Sequence, residues 1–449
     1  MNKKVLLPLL LGSLLPALAQ ATDLLSSWQA ALVHDANFSA ARNALTAGME
    51  NSVQGDAAVL PQVALTGNAG QVKTNYQAGR NVANTPSTSN QGQQYGMGVT
   101  LVQPIYDVTA TVRRDAMNKQ TRQAEIQYRI AEQDLILRVA KAYFDVLLAR
   151  ENVNLINAQK EAIGLQLAMA KKSFNIGSAT ITDTNDAQAR YDAVLGTEIA
   201  AQSDLDIKSS AYRQLTELDA AQLAPISDTL LPASPQPASL RSWLAQANDT
   251  SLTVLAQQIG LDITAIDVRL YRLEGAPTIS LVASYAAQID SNGISHSGAR
   301  DRTANGAIGL QLSIPLYSGG ERNSQLRQAV ALREQQRDTL EATRRDAEQL
   351  VRQSFLGVTS GSAQIKALEQ ARISGASSVA SSKLGREVGV RTTVDVLNAE
   401  QNYYQTLYNL GAARDQYLLS QLQLAASVGQ LNEAALSNVN GYLAHDAPP

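Results

Sequence analysis

Apolar and polar residues alternate along four short stretches of the chain. In residues 62–69, Val63, Leu65, Gly67 and Ala69 share one face, and Gln62, Ala64, Thr66 and Asn68 share the other. Residues 95–102 set Tyr95, Met97, Val99 and Leu101 against Gly96, Gly98, Thr100 and Val102. Later the alternation is cleaner. Ile279, Leu281, Ala283, Tyr285, Ala287 and Ile289 oppose Thr278, Ser280, Val282, Ser284, Ala286 and Gln288, and Ile308, Leu310, Leu312 and Ile314 oppose Ala307, Gly309, Gln311 and Ser313. Period two with one apolar face marks a half-buried strand, most often in a soluble sandwich. Here each strand has about 8–13 residues, enough to cross a bilayer with tilt, and the small polar face suits a wet lumen. Segments 77–94 and 290–305 read as long polar loops joining paired strands.

A different period governs the rest. Between Asp107 and Phe174 there is no proline and one glycine. Such a helix would run about 100 Å. Val139, Ala142, Val146, Ala149, Val153, Ile156, Lys160, Ile163, Leu167, Ala170 and Phe174 step by three and four throughout. This is a heptad seam with one polar interruption. Residues 321–386 give a matching long helix, and shorter helices fall near 23–57, 183–218, 241–271 and 395–430. Thin helices of this kind suit the wall of a tube that is wet on both sides.

The pattern is written twice. With an offset of roughly 211–216, Trp28 falls on Trp243, Pro61 on Pro277, Val139 on Val351, Gly177 on Gly389, Asp183 on Asp395 and Tyr191 on Tyr403. QPIY at 103–106 falls near IPLY at 314–317. That spacing is too long for a solenoid and reads as one duplicated unit of helix, strand, strand, long helix, helix. The first repeat spans 22–218 and the second 240–432, joined by a Pro-rich linker at 219–239. The tail, 433–449, lacks periodicity and is expected to be disordered.

Residues 1–21 read as a signal peptide. Lys3 and Lys4 precede an apolar run from 5 to 19, and Ala19-Gln20-Ala21 fits a cleavage site. No later stretch is apolar enough to span as a helix, so any further membrane crossing must be by strands. The 449 residues carry net charge −3, four Phe, two Trp and no Cys. This balance excludes a basic nucleic-acid binder, a disulfide framework and thiol chemistry. His34, His296 and His445 are too scattered in sequence to suggest a metal site, and His296 reads as solvated in a loop. Without a nucleophile–base pair, neither a catalytic site nor a cofactor is expected.

Four strands cannot close a barrel, since the smallest have about eight. An open edge in lipid would leave backbone groups unpaired. If these strands span, several copies of the chain must share one barrel.

The two tips, NIGSATITDTNDAQARYD at 175–192 and EVGVRTTVDVLNAEQ at 387–401, with GAARDQYLLSQLQLAASVGQLN at 411–432, resemble the TolC family of outer-membrane efflux and secretion channels. The resemblance covers essentially the whole mature chain. It implies a fold that is mainly α with β: a homotrimer closing a twelve-stranded outer-membrane β-barrel, four strands per protomer, continuous with a long periplasmic α-helical barrel. It also implies an iris at the tapered inner end, opened by a periplasmic adaptor and an inner-membrane pump, ABC-type or proton-driven.

Gly177 and Gly389 fit helix C′ positions, and Thr182, Asp183 and Asp395 fit helix starts. From spacing alone, they are more readily caps than a gate. By the resemblance, Arg391 pairs across the tip with Thr182 and Asp183, and Asp395 faces the axis as a carboxylate ring. Two positions depart from the family: Arg386 replaces a gate tyrosine, and Asn398 replaces a second aspartate. Ile176, Gly177 and Ser178, with Val388, Gly389 and Val390, match the positions that receive the adaptor. Tyr403, Tyr404 and Tyr408 read as packing between helices, and Trp28 and Trp243 as packing anchors.

The sequence supports an outer-membrane exit duct for polypeptides, drugs or metabolites, in contact with lipid and driven by its partners. The alternative is a structural or adhesive surface trimer with a shared barrel. Such adhesins keep their strands at one end of the chain, whereas here each hairpin is internal.

Overall fold

The computed structural model describes residues 22–76, 88–227, 230–292, 294 and 299–444. The segment 1–21 expected to be a signal peptide, His296 and residues 445–449 lie outside them. The order is α1 (Leu24–His34), α2 (Ala36–Ala57), β1 (Gln62–Tyr76), β2 (Thr88–Tyr106), α3 (Val108–Asn175), α4 (Ile181–Thr216), α5 (Leu240–Thr250), α6 (Leu252–Leu273), β3 (Thr278–Asn292), β4 (Asp301–Ser313), α7 (Glu321–Glu387), α8 (Thr393–Ser427) and α9 (Glu433–Asn440). Apart from α9 the second half repeats the first. No helix among the described residues is long and apolar enough to cross a membrane.

The chain divides into two compact units. One contains the antiparallel sheet, in the order β1-β2-β3-β4. Val63 pairs with Leu101, Leu101 with Ala283, and Ala283 with Ile308. Leu65, Val99, Tyr285 and Gly306 form the next row. The apolar residues of all four strands therefore share one face, as their alternation implies. That face is exposed on the protomer: Leu65, Met97, Ile308 and Leu310 are each more than 60% accessible. Edges β1 and β4 have no partner among the described residues.

The strands are longer than the polarity pattern predicts. Residues 88–94 belong to β2, 290–292 to β3 and 301–305 to β4. Backbone pairing needs no apolar face, so the ladder continues where alternation has stopped.

In the second unit, α1 packs against α4 and α9. Buried Tyr143 and Tyr212 meet edge to face, and the Tyr212 hydroxyl lies 2.6 Å from Ser27 Oγ. The Pro-rich segment is strapped to the helices. Tyr143 donates to the Ala224 carbonyl at 2.8 Å, and Tyr417 accepts from the Ala233 N–H while donating to its carbonyl.

Two sequence expectations need correction. The stretches 23–57 and 241–271 are not single helices. They break at Asp35 and Ser251, which are 216 positions apart and so equivalent in the repeats. The Asp35 carboxylate accepts the Phe38 N–H at 2.9 Å and restarts the chain as α2. The 433–449 tail is ordered over its first part. Asn432 caps α9, Leu436 and Val439 are buried, and Asn440 accepts the Leu24 N–H at 2.9 Å while donating to Asp23 at 2.7 Å. A helix of eight residues is too short to display a period, which explains its apparent lack of pattern.

Candidate functional site at the helical tips

The two hairpin tips, α3–α4 and α7–α8, are built alike. Gly177 and Gly389 have φ of 75° and 80° and close Schellman turns. Ser178 N–H donates to the Ser173 carbonyl and Gly177 N–H to that of Phe174, both at 2.9 Å. Val390 N–H likewise reaches Gly385 and Gly389 N–H reaches Arg386, at 2.9 and 3.1 Å. The helix then restarts from a threonine cap. Thr180 accepts the Asp183 N–H at 3.2 Å and donates its own N–H to the Asp183 carboxylate at 3.0 Å. Thr392 and Asp395 repeat this at 3.1 and 2.8 Å.

The caps are therefore Thr180 and Thr392, and Thr182 lies exposed inside the first turn of α4. The threonine three residues before each aspartate was the available signal, a capping-box spacing repeated at 212. The Thr392 N–H is the largest influence holding the Asp395 carboxyl below the usual range, followed by the Thr392 hydroxyl and by Arg391.

Within the protomer, Arg391 does not meet Thr182 or Asp183. Its guanidinium, in the tip turn, lies 3.9 Å from Asp395 in the first turn of the helix that follows. Asp183 is already engaged by Thr180. Arg386 donates instead to Gln166 Oε1 on α3, with Met169 Sδ 3.5 Å away. Asn398 accepts from Arg190 of α4 at 2.8 Å, and Gln401 accepts from the same guanidinium at 2.9 Å. Gln166, Arg190 and Gln401 were invisible as site residues in the sequence. Ile176, Val388 and Val390 project at the tips, each about two-thirds or more accessible, and the space where a Cβ would stand on either glycine is open.

Behind the tips the heptad seam packs as its spacing implies. Ile163 meets Val194 and Leu397, and Leu167 and Ala170 meet Ala187. The polar interruption, Lys160, pairs with Glu198 on α4. Tyr191 completes both clusters.

Comparison with known proteins places this architecture. The model for the family described as "Outer membrane efflux protein" matches residues 28–217 and 243–430, one segment in each repeat. The outer membrane protein TolC of Vibrio cholerae is 32% identical over 98% of this chain and 99% of its own. The alkaline protease secretion protein AprF of Pseudomonas aeruginosa is 30% identical over 98% of this chain and 92% of its own. Among solved structures, the outer membrane protein VceC of Vibrio cholerae superimposes with a TM-score of 0.75 at 18% identity, over 90% of this chain and 96% of that one. The duplicated helix–hairpin–helix chain, its exposed apolar sheet and its two matched segments have one reading: the protein belongs to the outer membrane efflux protein family and is an exit duct in the outer membrane of a Gram-negative bacterium.

Proposed function

We propose that three copies of this chain close one barrel and one helical tube, forming a passive duct gated at the hairpin tips. The observation that carries this reading is the four-stranded sheet, whose edges β1 and β4 have no partner among the described residues and whose apolar face is exposed. Joining β4 of one copy to β1 of the next satisfies every edge in lipid and places Gln94, Gln288 and Asp290 inside. Arg391, with more than half of its side chain accessible, reaches across the subunit boundary toward Thr182 and Asp183 of a neighbour and latches the tip. Asp395 contributes one carboxylate per subunit to the pore ring. Ile176–Ser178 and Val388–Val390 receive the hairpin of a periplasmic adaptor, which brings an inner-membrane pump. Cargo follows the pump, and the similarity to a protease secretion protein supports polypeptide as well as small-molecule export. The chain itself performs no chemistry on what passes.

Mass measurement of the protein extracted from outer membranes in detergent tests the assembly. A trimer that captures its adaptor is expected, and a water-soluble monomer would contradict the reading.

A further inference from the structure

Near the tips, two arginines join the α3–α4 pair to the α7–α8 pair through side-chain amides. Arg190 forks onto Asn398 and Gln401, which stand three apart on α8 and so share a face. Each uses a side-chain oxygen, at 2.8 and 2.9 Å. On the companion helices Arg386 of α7 reaches Gln166 of α3. Around the Arg190 fork lies a cavity of about 450 Å³, lined in part by Leu397, Val194, Tyr404 and Tyr408. Apolar packing by the Ile163, Val194 and Leu397 cluster therefore leaves part of this joint unfilled, and the fork adds a polar fastening beside it.

We propose that Arg190, with Asn398 and Gln401, is a clasp that holds the inner hairpin to the outer one above the tip, with Arg386 and Gln166 as its second point. The proposal rests on the tip-gated duct described above but does not use Arg391. A guanidinium bonded to neutral amides has no partner charge to be neutralised. High salt, which screens an arginine–carboxylate latch, therefore leaves this clasp closed.

The test uses the full-length trimer in planar bilayers. Partly exposed, each clasp shifts the closed-to-open ratio by roughly threefold, so three acting together shift it by about 30-fold. Arg190→Ala should raise channel opening by that order. The Asn398→Ala/Gln401→Ala pair should do the same, and combining all three changes should add little, because one contact is being removed twice. Asn398→Asp is the second variant: it turns the fork into an ion pair and should lower opening below wild type, in a salt-dependent way. A residue that only supported folding would not give that decrease. Wild-type opening in Arg190→Ala, additive effects of the two changes, or an Asn398→Asp channel that opens more would overturn the clasp. Arg391→Ser, measured beside them, separates the two ideas. If it opens the channel while Arg190→Ala does not, the tip latch stands and the clasp falls. If Arg190→Ala alone opens it, the clasp stands and the latch falls. If neither changes opening, both are refuted.

Discussion

Asp395 and Thr392 exchange three hydrogen bonds at the start of α8: the Thr392 N–H and hydroxyl both donate to the carboxylate, at 2.8 and 2.9 Å, and the Asp395 N–H returns to the hydroxyl at 3.1 Å. A carboxylate proposed to line the pore is thus also the anchor of the helix that carries it. Asp395→Ala should have two effects: weaker block by multivalent cations, and faster amide exchange over residues 393–396. Asp395→Asn should keep more of the protection while losing the block. Equal exchange in wild type and Asp395→Ala would show that the cap does not hold the turn.

Gly389 has φ of 80° and open space where a Cβ would stand, so a substitution there meets backbone strain rather than a clash. For an ordinary L-residue that strain is about 1–2 kcal/mol. Gly389→Asn, which tolerates the conformation better, should retain adaptor capture, whereas Gly389→Val should lose most of it while trimer levels hold. Pull-down of the adaptor from cross-linked cells is the measurement. Equal capture by the two variants would separate the turn from docking.

Asp35 receives both terminal nitrogens of Arg138, at 2.8 and 3.2 Å, beside the break between α1 and α2. The Arg138 hydrogen bonds are the largest influence holding the Asp35 carboxyl below its usual range, the Phe38 N–H adds to them, and burial opposes them. Because the folded value lies below the unfolded one, the associated stability is fully present above about pH 4. It is lost as pH falls through the lowered value. Asp35→Ala should cost about 1.5–3 kcal/mol at neutral pH, with a gap from wild type that narrows toward pH 3. Denaturant melts at the two pH values would show it, and a pH-independent gap would contradict the ion pair.

Leu436 of α9 is fully buried, and Asn440 ties that helix to Asp23 and Leu24 at the start of α1. Leu436→Ala should cost roughly 2–4 kcal/mol. Removing residues 433–449 should lower the trimer melting temperature further. An unchanged melt would mean that α9 is an ornament on the fold.

Much of this molecule is legible in the sequence because its determinants are local. The apolar faces of the strands follow from parity, and the register keeps Val63, Leu101, Ala283 and Ile308 in one row. The tip glycines stand out because their backbone conformation requires them. The breaks at Asp35 and Ser251 are hidden because neither carries Gly or Pro. A cap that restarts a helix without a loop leaves the helical spacing nearly intact. Thr180 and Thr182 are two residues apart, and only the three-residue step to Asp183 distinguishes the cap from its neighbour. The fork from Arg190 to Asn398 joins positions 208 apart, on helices whose facing sides no local pattern reveals. The same holds for Arg386 and Gln166, 220 apart.

Single-channel recording of the purified protein in planar bilayers tests the central claim most directly. The wild type should insert as a trimer with small, cation-preferring conductance steps. Arg391→Ser should raise the conductance several-fold, since three latches bias one gate. A wild type that gives no steps would contradict the duct, and unchanged steps in Arg391→Ser would contradict the Arg391 latch.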